Sequence, residues 1–215
     1  MTTPTPPELR ERIARDLRPT RPLRPPYVRA LVLIPLAVAI VLSVPGLRFF
    51  RSDMQAIGWL TAWGFSFGQA LAGLLIVGVA LRESIPGRGL SRRAIALTFA
   101  AGLAIPFVLL AVTASAFDVG PAPGQALQEG IGCFRVSAVS AIPALIAAAV
   151  LAARALPTRP ALAGALYGLG CGLVADAGLR LFCEYTVPTH VVFGHGGAIV
   201  AVMAFGAIVA RVVRH

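Results

Sequence analysis

The sequence predicts an all-α membrane protein, a bundle of six transmembrane helices with the N and C termini cytoplasmic. Three observations lead there. Six stretches between successive charges hold 16 to 28 uncharged residues each, and a bilayer span needs about 20 apolar residues. With a mean hydropathy of +0.81, 57% hydrophobic and only 13% charged residues, a soluble domain would have too little polar surface to cover itself. The 19 basic residues, all arginine, are also unevenly placed. Fifteen lie in the tail up to Arg29, in segments 82–93 and 154–160 and at the C-terminal end, against four at Arg48, Arg51, Arg135 and Arg180. Positive charge stays on the cytoplasmic side, which orients both termini inward.

Two regions follow: residues 1–27 as a cytoplasmic tail with a short amphipathic helix, and residues 28–215 as the six-helix transmembrane domain. The expected spans are 28–47, 58–81, 94–115, 134–155, 161–182 and 191–213. The fifth is the weakest pattern, because Asp176 and Arg180 fall inside it. A cleavable signal peptide is not expected, since 27 polar, proline-rich residues precede the first apolar run. The net charge of +10 therefore reports topology, with the lipid bilayer as a partner and no direct nucleic-acid contact.

In the tail, Thr5-Pro6-Pro7-Glu8 matches a capping box with proline at the first helical position, so a helix starts there. Leu9, Ile13 and Leu17 recur every four residues among charged neighbours until Pro19, Pro22, Pro25 and Pro26 end the helix. A helix of about 13 residues is marginal alone in water, so its apolar stripe needs a partner surface. A protein groove and an anionic lipid surface both fit such a stripe.

Of the three cysteines, Cys171 falls mid-span among small residues and reads as a packing residue. Cys133 falls just before the fourth expected span and Cys183 just after the fifth, both at the outer face. Disulfides persist there, and the short 154–160 connection makes the two spans neighbours. The pair then forms either a reversible bridge or a permanent one. His190 and His195 follow closely and would complete a Cys2His2 set with Cys133 and Cys183. Thiolate and imidazole are donors for zinc, copper or cadmium. The spacing is no recognised ligand signature, and the alternatives are an interfacial His190 and a His195 bonded across helices.

The fifth span carries Gly164, Gly168, Gly172, Asp176 and Arg180 at four-residue intervals. Small residues so spaced let another helix approach closely. Asp176 and Arg180, one turn apart, can form an intramembrane ion pair that lowers the penalty of burying either. If the helix continues past Arg180, its guanidinium also favours the thiolate of Cys183; otherwise the pair only fixes packing.

The chain resembles the NrsF-type membrane anti-sigma factors, six-helix negative regulators of extracytoplasmic-function (ECF) sigma factors of the SigF kind. The resemblance rests on Asp16-Leu17-Arg18-Pro19 with Arg21-Pro22-Leu23-Arg24-Pro25-Pro26, on Gly132-Cys133-Phe134, and on Cys183 followed by Pro188, His190 and His195-Gly196-Gly197. It implies a bacterial inner-membrane, multi-pass protein that holds an ECF sigma factor until heavy metal or oxidant acts on the outward cysteines. Cys133 and Cys183 become the sensing residues. Leu9, Ile13, Leu17, Arg18 and Pro19 become the sigma-binding tail. No cofactor is expected beyond transient heavy-metal binding. The rival expectation is a small-solute or metal-ion transporter, with Pro35, Pro106 and Pro143 as helix breakers and Asp176 and Arg180 as the charges within a span. No catalytic motif stands out, and a thiol oxidoreductase would carry a Cys-x-x-Cys pair that this chain lacks. An enzyme is therefore not expected.

Overall fold

A computed structural model describes residues 6–16, 22–116, 120 and 124–212, with the side chains of 113–116 excepted. Among these residues the fold is helical, with no strand. Six helical segments are long and apolar enough to cross a membrane: Pro26–Leu47, Trp59–Glu83, Arg92–Val112, Ala126–Ala153, Pro160–Leu179 and Pro188–Val212.

Helix α1 (Pro7–Asp16) buries none of its residues. Leu9 and Ile13 stand about half exposed, at 47% and 49%, so none of the described residues buries the apolar stripe. The expected cap at Thr5, and Leu17, Arg18 and Pro19 of the expected binding tail, lie outside the described residues.

The first span is two helices, α2 (Pro26–Leu31) and α3 (Ile34–Leu47). Pro35 has no N–H to return to the Leu31 carbonyl, and the chain relaxes through a turn in which Leu33 N–H bonds Ala30 O at 2.9 Å. A single turn, α4 (Met54–Ile57), leads through Gly58, whose φ of 84° suits glycine, into α5 (Trp59–Glu83). Helix α6 (Arg92–Ala116) runs through Pro106, and α7 (Ala126–Ala153) runs through Pro143. Of the three expected breakers, only Pro35 interrupts its helix.

Helix α8 (Pro160–Leu179) is the hub. Its span is 89% buried, against 11% for the span in α6, so α8 lies at the centre and α6 at the periphery. The glycine stripe explains how α8 reaches that position. A Cβ at Gly164 would collide with Gly206 O, and one at Gly168 would lie 2.6 Å from Val202 O. On another face, a Cβ at Gly170 would lie 2.5 Å from Gly73 O in α5. Only hydrogen at these positions lets the backbones touch. The charges that made this span look weak instead mark the interior, where polar side chains in a helical bundle find partners.

Several expected boundaries move. Helix α7 starts at 126, not 134, so Cys133 sits about two turns inside it. Glu129 and Arg135 end the apolar run but not the helix, because charged side chains near a helix end can reach outward while the backbone stays helical. Helix α8 stops at Leu179, not 182. The chain closes in a tight turn, with Phe182 N–H and Cys183 N–H both donating to Leu179 O. The last span begins at Pro188, a favoured first helical residue, and therefore contains His190. It comprises α9 (Pro188–His190), a π-helical segment Val191–Gly196, and α10 (Gly197–Val212).

Large apolar side chains point outward around the bundle, including Leu60, Leu97, Ile146 and Ile208. In water this belt would be unfavourable; against acyl chains it is the expected surface.

Candidate functional site

At the end of the bundle that holds segment 48–58 and the turn after α8, four side chains converge: Cys133, Cys183, His190 and His195. One ligand-type atom from each lies within 4.8 Å of the others, and all four residues are buried. Cys133 Sγ donates to Cys183 Sγ at 3.6 Å, and both thiols are free. His190 Nε2 lies 3.2 Å from Cys183 Sγ.

Two local features bring them together. Five residues along an α-helix turn the side-chain direction by about 140°, which would part His190 from His195. The π-helical segment widens the turn to an i→i+5 repeat, and the two imidazoles face the same side with ring centroids 5.6 Å apart. Close backbone approach does the rest. A Cβ on Gly194 would lie 2.9 Å from Gly130 O and 3.3 Å from Cys133 Cβ, so glycine there lets α7 present Cys133 to the histidines.

Behind the four lies a buried polar node. His195 Nδ1 is 2.6 Å from Asp176 Oδ1. Gln69 Nε2 donates to Asp176 Oδ2 at 2.7 Å and to Leu173 O at 3.2 Å. Arg180 Nε pairs with Asp176 Oδ2 at 3.3 Å and donates to Gln69 Oε1 at 2.7 Å, while its Nη2 reaches Pro106 O at 3.3 Å. The node thus joins α5, α6, α8 and the last span.

The Asp176–Arg180 pair forms as its spacing indicates. Arg180 spends its guanidinium on Asp176, Gln69 and Pro106, however, and α8 ends before it could present that group to Cys183 along one face. Cys183 lies outside the spans. The hydrogen bond from Cys133, and then that of His190, hold its thiol well below the ordinary value against the opposing effect of burial.

The site is roofed by segment 48–53. Arg51 binds Asp53 through Nε at 2.5 Å and Nη2 at 2.8 Å, and its N–H donates to Leu181 O at 3.0 Å. Ser52 N–H donates to a Glu184 carboxylate oxygen at 3.1 Å. Cys171 is buried in mid-α8 and belongs to the packing core. Sequence reasoning missed Gln69; it offered a His195 bonded across helices, as found, but not Asp176 as the partner. The signal for Gln69 was an amide in the middle of an uncharged run from 54 to 81, where Gln55 lies at the edge, a polar group that a bundle interior must satisfy.

A helical bundle with six segments long and apolar enough to cross a membrane, and with two thiols buried beside two imidazoles at one end, has the make-up of a multi-pass membrane protein. The chain belongs to the NrsF family, negative regulators of sigma F, whose pattern it matches over residues 13–214. Membership makes it a regulatory protein and implies a sigma factor as its partner. Neither a curated protein nor a solved structure matches the chain.

Proposed function

We propose that this chain is a bacterial inner-membrane anti-sigma factor. It holds an ECF sigma factor through its cytoplasmic tail and releases it when oxidant or heavy metal acts on Cys133 and Cys183 at the outer face. The observation that carries this reading is the approach of two thiols 50 residues apart in the chain to 3.6 Å. The arginine distribution supports the orientation, because the tail and the segments 82–93 and 154–160 hold most of the positive charge.

Chemically, the pair responds in one of two ways. An oxidant takes two electrons as the S–S bond forms, and both thiol protons leave. A thiophilic metal instead displaces the protons and bridges the sulfurs. Either event ties α7 to the turn after α8. It transmits a signal only if the tied packing differs from the untied one in its hold on the tail. The exposed face of α1, with Leu9 and Ile13, supplies the apolar contact for the sigma factor.

The test is a reporter of sigma activity in cells that carry Cys133→Ser and Cys183→Ser singly and together. Loss of induction by cadmium and by diamide, with repression intact, supports the proposal. Full induction in the double variant contradicts it.

A further inference from the structure

We infer that Cys133, Cys183, His190 and His195 form one closed, four-coordinate site for a divalent cation of the zinc and cadmium class, with Asp176 as the positioning residue behind His195. The inference deepens the sensing reading above and rests on it for its signalling consequence. Binding itself requires no sigma factor.

Geometry is the first support. A tetrahedral ion with Zn–S of about 2.3 Å and Zn–N of about 2.0–2.1 Å has ligand–ligand edges of roughly 3.3–3.8 Å. The S···S distance of 3.6 Å and the S···N distance of 3.2 Å are close to such edges, and every remaining pair lies within 4.8 Å. Small side-chain shifts therefore bring all four atoms to bonding distance.

The second support is an orphaned ring nitrogen. His195 commits Nδ1 to Asp176, which leaves Nε2 buried with no hydrogen-bond partner. A buried polar atom without a partner is unfavourable, and a cation at His195 Nε2 would remove that penalty. Carboxylate on one ring nitrogen with metal on the other is the arrangement that fixes tautomer and ring orientation in metal-binding histidines. Gln69 and Arg180 in turn fix the carboxylate of Asp176.

Donor chemistry sets the class. Two sulfurs and two imidazole nitrogens suit soft and borderline ions, and the set contains no oxygen ligand for magnesium or calcium. Four protein ligands leave no open position, which makes the site one for holding rather than for catalysis. A cavity of ≈ 30 Å³ lined by Cys183, His195, Arg180 and Thr186 lies beside it, room enough for water to exchange. On binding, M²⁺ displaces the thiol protons, and two thiolates then neutralise the ion. The ligands come from α7, from the turn after α8 and from the last span, so one ion clamps three elements.

The experiment is a cobalt(II) titration of the purified full chain in detergent under reductant. One cobalt per chain is expected, with thiolate-to-cobalt charge transfer and four-coordinate ligand-field bands, displaced by zinc or cadmium and not by magnesium. His190→Gln and His195→Gln should each change the ligand-field bands and weaken binding more than 100-fold. Asp176→Asn should keep the bands and weaken binding about 10- to 100-fold, with Asp176→Glu recovering part of the loss. Absence of charge transfer in the wild-type chain overturns the inference, as does binding that is indifferent to both histidines. Elution volume and helical content identify variants that fail to fold, and the wild-type titration decides the question without them. Capture of the sigma factor by the metal-free chain tests the anti-sigma reading separately, so the two can fail independently.

Discussion

Asp176 Oδ1 lies 2.6 Å from His195 Nδ1, a contact between the buried face of α8 and the π-helical segment of the last span. The same carboxylate holds Arg180 and Gln69. One buried group thus bonds the cysteine–histidine end of the bundle to its central helix.

Removing that group leaves Arg180 without its buried counter-charge and His195 Nδ1 without its buried partner. Asp176→Ala should destabilise the protein by about 3–5 kcal/mol, with Asp176→Asn milder because it keeps the shape and one acceptor. Thermal unfolding in detergent checks the order; equal midpoints for wild type and Asp176→Ala would contradict it.

The glycine contacts give a sharper steric contrast. Gly168→Leu drives a side chain into Val202 O and Met203 Cα, 2.6 and 2.8 Å from an added Cβ, whereas nothing lies within 4 Å of one at Gly64. The first change should lower stability by about 1–3 kcal/mol or more. Gly64→Ala should leave the unfolding midpoint unchanged, and a comparable loss there would remove the close-packing explanation.

Much of this fold was legible and much of the site was not, for physical reasons. Uncharged runs mark spans because lipid excludes charge, and all six appear as helices. The same criterion put the start of α7 eight residues late, at 134 instead of 126, since it equates a charge with an end. It also ranked α8 weakest, although Asp176 and Arg180 are there because α8 is innermost. The four residues Cys133, Cys183, His190 and His195 were readable as one candidate set. Their joining was not, because it depends on a π-helical turn and on Gly130 meeting Gly194, and neither leaves a periodic trace. Gln69 reaches Asp176 from 107 residues away, a relation no local pattern encodes.

Oxidation should be selective. Diamide treatment of the metal-free protein should join Cys133 to Cys183 and leave Cys171 free, because only the first two thiols are adjacent. Peptide mapping by mass spectrometry reads this directly, and a bridge involving Cys171 would mean that the bundle opens. Bound zinc should protect the pair.

The Cys183 thiol is depressed in the folded chain, chiefly by the Cys133 hydrogen bond. A depressed acid favours folding most above the unfolded thiol value of about 8.5. Its contribution falls as pH drops below that value and is lost once pH passes through the lower folded value. The stability of wild type minus that of Cys183→Ser should therefore shrink as pH is lowered from about 9. A difference that grows on acidification would reverse the assignment.

The tail should act apart from the bundle. Ile13→Asp places charge on the exposed stripe of α1, which the described residues leave unburied. Sigma capture should be lost with no change in the unfolding midpoint. Capture that survives would move the binding surface elsewhere.

The most direct measurement is a pull-down of the intact protein, in detergent, from a lysate of its own cells, with and without cadmium, followed by mass spectrometry of the eluate. Sigma factor retained without metal and released with it is the predicted result. No sigma factor in either sample, or equal retention in both, would contradict it.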